Sequence, residues 1–206
     1  GFQAESEESS SLLQRAVAVL QSSYLHSTSQ GVFRYSQAIL VEKDVFLSEL
    51  KAFAQAKEAA GYSQEELEET FAFLLFDSEE EAKEVCQTGL RVNSSSIATL
   101  GDPAKGVYIS KYSDCLHPRP WYHGKSGYIL ICKLIKGKVK VVSENHTTSS
   151  PCPSPGYDCH VSRSRNHTAC KSSHCQAFLQ SQYYVYEVAG GSAAERPRQI
   201  CPYIVL

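Results

Sequence analysis

Several groups of residues carry chemistry. Cys152, Cys159, His160, His167, Cys170, His174 and Cys175 lie close in the chain and offer the nitrogen and sulfur donors of a tetrahedral zinc site. They contain no paired C-x-x-C, and on a strand Cys159 and His160 would point to opposite faces, so they read as a Cys/His-containing loop with no metal. Lys133, Lys136, Lys138 and Lys140, with Arg163, Arg165 and Lys171 further on, are the candidate RNA contacts: they would meet phosphates if they shared a face. The alternation of Lys138 and Lys140 with Val139 and Val141 is equally that of an ordinary solvated strand. Tyr183, Tyr184 and Tyr186 offer a stacking platform for bases or, in a half-buried strand, core packing. Seven histidines and eight cysteines supply thiol–imidazole pairs, but no thiol-hydrolase signature surrounds them. G-x-S-x-G, H-E-x-x-H, G-x-G-x-x-G and the phosphate-binding glycine loop are all absent.

The 206 residues, 42% hydrophobic, bury one full core. We read a flexible lead at 1–10 and a single domain at 11–206, with a long surface excursion at about 143–175. A formal charge of −2 gives no global basic field, so tight DNA binding is not expected. No apolar run reaches bilayer length, so no membrane partner is expected, and GFQAESEESSSLL has neither the basic nor the apolar region of a secretory signal. Sequons at Asn93, Asn145 and Asn166 with eight cysteines admit a secreted, disulfide-bonded protein. Irregular spacing, and the placement of Cys132 inside YILICKLI, favour a reduced intracellular chain with packed thiols.

The elements that would position these groups follow from periodicity. Leu12, Leu13, Ala16, Val19 and Leu20 fall on one helical stripe, with Ser9 to Ser11 as caps. A second helix spans about Val45 to Ala60. Ser63 and Glu66 form a capping-box signature for a third running toward Phe71. FAFLLF fits a helix end or a buried strand, and Glu79 to Thr88 reads as a short helix ended by Gly89. Strands are expected at 106–110, 128–137, 138–142, 157–162, 177–188 and 200–206, with Lys136-Gly137-Lys138 turning a hairpin. Helices first and strands afterwards imply an α+β domain with a largely antiparallel sheet.

TLGDPAKGVYISKYSDCL at 99–116 resembles the signature of ADP-ribosyltransferases of the PARP type. Together with SSYLHSTSQGVFRYSQAILV and the terminal RPRQICPYIVL, the chain resembles the pseudo-PARP domain of the TASOR family. That family includes TASOR of the HUSH complex, its paralogue and a testis-expressed piRNA-pathway member, the last being the preferred match. The resemblance implies an ADP-ribosyltransferase-like fold and places the family's His-Tyr-Glu triad at Phe76, Tyr108 and Pro202. Only the tyrosine is kept. Phe76 cannot hydrogen-bond a ribose, and Pro202 supplies neither carboxylate nor N–H. Tyr122-His123-Gly124 mimics the family's His-Gly pair but follows Tyr108, the wrong order. The resemblance thus implies an inactive interaction module without a cofactor, acting in RNA-directed transposon silencing in the nucleus. It implies silencing-complex proteins and nascent RNA as partners and leaves the cytoplasm as a second location. The alternative is a residual mono-ADP-ribosyltransferase using NAD with Glu187 or Glu195 as its acid.

Overall fold

The computed structural model describes residues 2–41, 43–119, 126–143, 146–150, 152–163 and 173–206. In chain order these form α1 (Phe2–Ser22), β1 (Ile39–Leu40), α2 (Asp44–Ala59), β2 (Glu69–Phe76), α3 (Glu79–Thr88), β3 (Val107–Ser110), β4 (Tyr128–Ile135) and β5 (Val139–Val142). Then follow α4 (His146–Ser149), β6 (Cys159–Ser162), α5 (Ser173–Gln180), β7 (Gln182–Val185), β8 (Val188–Ala189), β9 (Ser192–Ala193) and β10 (Ile200–Val205). Eight strands make one sheet in the order β1-β10-β4-β2-β3-β7-β6-β5, while β8 and β9 form a separate ribbon. All pairings are antiparallel except β5 with β6.

This α+β plan matches the sequence reading, but several local expectations are corrected. Ser9 to Ser11 lie inside α1, which begins at Phe2 and so includes most of the segment assigned to a flexible lead. An interior serine costs a helix only a fraction of a kcal/mol. The Ser63–Glu66 capping box forms, with the Glu66 N–H donating to Ser63 Oγ at 3.2 Å and the Ser63 N–H to Glu66 Oε1 at 2.9 Å. It closes one turn and no helix, because the chain enters β2 at Glu69 and pairs with β4 along its whole length. Residues 177–188 are not one strand: α5 continues to Gln180 with Phe178 and Leu179 buried, Gln182 to Val185 pair in the main sheet, and Val188 belongs to the β8–β9 ribbon. The 143–175 stretch is not all surface, since β6 joins the sheet and buries Cys159 and His160.

Lys136-Gly137-Lys138 turns no hairpin. β4 and β5 stand five strand positions apart, about 24 Å in a flat sheet. The link from Ile135 to Val139 reaches at most ~14 Å. The sheet therefore curls, and one core joins Ala72, Leu134 and Ile200 from one half with Ile109, Cys159 and Val185 from the other. Asp158 fixes the link. Its buried carboxylate accepts from the Lys138 N–H at 2.9 Å and the Tyr62 hydroxyl at 2.7 Å, and lies 3.5 Å from the Lys57 ammonium. Gly137, at φ +69°, has no room for a Cβ against that carboxylate. On the opposite face of the first half, α1 covers Phe73, Ile131 and Ile204 through Ala16 and Leu20, while Phe46, Leu50 and Phe53 of α2 pack on Ile135 and Cys201.

Candidate functional site

β2 and β3 touch through one residue pair, Phe73 with Ser110, and then part. The gap opens into a cavity of about 410 Å³. One wall is the end of β2, including Phe76; another is Tyr108 and Ser110 of β3; α3 and the segment after it, with Leu116, Phe178 and Gln182, close the rest. α3 is held there by Ser78, whose hydroxyl accepts from the Glu81 N–H at 3.2 Å, and by Gly89, whose φ of 80° ends it.

Phe76 and Tyr108 therefore share one cavity. Pro202 does not line it: it is buried in β10 opposite Cys132, with β4 between it and β2. Tyr108 is buried, and its hydroxyl is already occupied. It donates to the Gly101 carbonyl at 2.6 Å and accepts from the N–H groups of Leu100 and Gly101 at 3.0 and 2.9 Å. Burial pushes this phenol up to about 12, so it stays protonated at neutral pH.

Behind Tyr108 lies a polar aromatic cluster. Tyr108 packs on Tyr184 with ring centroids 5.1 Å apart, and Tyr184 in turn contacts Tyr186 and His160. His160 Nδ1 donates to the Leu100 carbonyl at 2.7 Å, and Nε2 lies 2.9 Å from the Ser154 hydroxyl. Tyr186 donates to the Ser154 carbonyl, and Tyr184 to that of Asp102. Desolvation by burial lowers the imidazole to about 4, against the Leu100 bond; His146 and Lys140 lower it further. Tyr184 and Tyr186 are thus core residues with satisfied hydroxyls, and the cluster anchors the loop that Tyr108 clamps.

Neither carboxylate proposed for residual transfer lines the cavity. Glu187 pairs bidentately with Arg198, its nearest contact at 2.7 Å, and Glu195 pairs with Arg91 at 2.8 Å. The acidic groups lining the cavity are Glu81 and Glu84 of α3, beside Arg91. The sequence reading missed them, although their three-residue spacing on a helix already put both on one face.

The lysine strip divides. Lys133 sits on β4 with its ammonium 3.7 Å from Glu69 and 4.5 Å from the Tyr203 ring centroid. Lys140 lies on the far edge strand and Lys138 just before it, over the rings of Tyr157 and Tyr62 at 5.6 and 4.8 Å, and Lys136 lies over Tyr183. The Arg163 N–H donates to the Val142 carbonyl at 2.8 Å, which brings it to the same edge. Arg165, Lys171, the Tyr122-His123-Gly124 segment, His167, Cys170, Asn145 and Asn166 lie outside the described residues. Among the described residues, no three His, Cys, Asp or Glu side chains converge as metal ligands. Cys159 joins the main core and His160 the cluster on the opposite face, as alternation requires. Cys86, Cys115, Cys132, Cys152, Cys159 and Cys201 are free thiols, whereas Cys175 is disulfide-bonded, a correction to the fully reduced reading. Among the described residues, no helix is long and apolar enough to cross a membrane.

Residues 56–202 match a family model described as a protein of unknown function (DUF3715). The chain is 34% identical to human Protein TASOR over 199 residues and 36% identical to the Xenopus laevis protein over 197. These matches cover 92% and 91% of this chain but only 12% of each relative's length. The crystal structure of the TASOR pseudo-PARP domain superposes with a TM-score of 0.83 at 35% identity, covering 93% of this chain and 91% of that one.

Proposed function

The chain belongs to the TASOR pseudo-PARP (DUF3715) family, and we propose that it is a catalytically inactive interaction module that serves nuclear transposon silencing of the HUSH type. The observation that carries the proposal is the state of the cleft between β2 and β3. If the triad positions are Phe76, Tyr108 and Pro202, the cleft holds no imidazole at the first. Its tyrosine hydroxyl is spent on the 100–101 backbone. The third position is a buried proline on another strand. An oxocarbenium-like transition state then lacks its ribose anchor and its aligned carboxylate. A scaffold so altered is free to act through its surface.

Its partners, on this reading, are proteins of a silencing complex, with nascent RNA second. The piRNA-guided germline branch is separated from the HUSH-type one by which complex co-purifies with the full-length protein from germ cells. Residual transfer would have to recruit Glu81 or Glu84, since Glu187 and Glu195 do not line the cavity.

The test is a thermal-shift titration with NAD, run beside an assay for transfer of labelled ADP-ribose. We expect no shift at millimolar NAD and no transfer, because a ligand stabilises only by the logarithm of its occupancy ratio. A clear shift with label incorporated, and lost in Glu81→Gln with Glu84→Gln, would reinstate the enzyme.

A further inference from the structure

Strand β5 ends the sheet, and among the described residues nothing pairs with its outer side. Its pairing to β6 is parallel, so alternate residues turn both backbone groups inward. The Val142 carbonyl accepts from Arg163, which assigns Val142 and Lys140 to the inner set and Val139 and Val141 to the outer one. The N–H and C=O groups of Val139 and Val141 therefore face the open edge. Their side chains are 37% and 45% exposed, on the face where the neighbouring strand buries Cys159. Lys140 projects from the other face, toward Ser154 and Tyr157, and Lys138 lies over Tyr62. Arg163 is exposed beside the strand end. Among the described residues, no carboxylate lies within ion-pair distance of Lys136, Lys138, Lys140 or Arg163.

We infer, resting on the interaction-module reading, that the β5 edge receives an extended acidic peptide as an added strand. Main-chain bonds to Val139 and Val141 supply the ladder, and the partner's alternate residues meet the valines on one face and the lysines on the other, with Arg163 at the strand end. A second copy of this chain is disfavoured, because antiparallel self-pairing about Lys140 sets two lysines opposite each other. The lysines that guard the edge against its own kind thus select a carboxylate-bearing strand. RNA fits less well: valines stack no base, and the rings of Tyr62, Tyr157 and Tyr183 each already carry a lysine.

The probe is a short, dye-labelled synthetic peptide alternating glutamate and valine, titrated into the whole chain and followed by anisotropy, with amide hydrogen exchange on the complex. We expect saturable binding and new protection at the Val139 and Val141 amides. Affinity should fall about tenfold or more in Lys138→Glu with Arg163→Glu, and also with peptide N-methylated at its valines, a control that leaves the protein intact. Equal binding of polyglutamate, or binding without protection at those amides, overturns strand addition. So does an oligouridylate that binds the chain and is lost in the same double variant while the peptide stays unbound. Absence of peptide binding in a chain silent toward NAD refutes the β5 assignment alone; NAD turnover refutes the module reading itself.

Discussion

Tyr108, in the segment that resembles a catalytic signature, has its hydroxyl held by the backbone. Its hydroxyl satisfies two N–H groups and one carbonyl of the 100–101 backbone, so Tyr108→Phe leaves buried polar groups unpaired. We expect a loss of about 2 kcal/mol in urea denaturation and no NAD-induced shift in either form; a substitution neutral for stability would show that the hydroxyl is not structural. His160 makes a pH prediction. Its folded value of about 4 lies below the ~6.5 of an unfolded histidine, so the unfolded chain binds the extra proton first. The stabilisation is complete above pH ~6.5 and is lost as pH falls toward 4, a total of about 3 kcal/mol. The facing groups are Tyr184 of β7, Tyr186 just after it, His146 of α4 and Lys140 of β5. Unfolding free energies measured from pH 7 to pH 4.5 should show this slope, and His160→Gln should flatten it. The opposed faces of Cys159 and His160 were legible from alternation. The His160 cluster was not, because its partners Leu100 and Tyr186 are 60 and 26 residues away and meet it only through the fold.

At the level of elements, the sequence reading succeeded where local and tertiary demands agree. α2 and α3 carry apolar stripes that the sheet buries, and β4 and β10 are apolar runs flanked by breakers. It failed where tertiary pairing overrides a sound local signal: the Ser63 capping box is real but yields to β2, and the glycine turn at 137 is real but joins strands five positions apart. That second failure hid the curl of the sheet and its anchor, Asp158. Removing the Asp158 carboxylate strands Lys57, the Tyr62 hydroxyl and the Lys138 N–H together. Asp158→Ala should therefore cost about 3 kcal/mol, with faster amide exchange in β5 and β6 before any in β2 and β4. Gly137→Ala should cost at least ~1 kcal/mol through its positive φ and the crowded carboxylate. Uniform exchange across all strands would mean that the link does not hold the two halves together.

For the molecule as a whole, the family match and the folding unit do not coincide. The match spans residues 56–202, which excludes α1, β1, most of α2 and the end of β10. Yet Leu20, Phe46, Leu50, Phe53 and Ile204, all outside it, are buried against the sheet. At roughly 2 kcal/mol for each such side chain, about 10 kcal/mol of apolar burial is missing from the fragment. That is comparable to the entire net stability of an ordinary domain, about 5–15 kcal/mol. The fragment would also present Phe73, Ile131 and Ile135 to water as one apolar sheet face. Residues 56–202 expressed alone should be insoluble or bind a hydrophobic dye without a cooperative thermal transition, whereas residues 1–206 should unfold in one step. A cooperative transition in the fragment would make α1 and α2 an appended layer. Loss of that transition makes α1 and α2 part of the folding unit on which the cleft and the β5 edge depend.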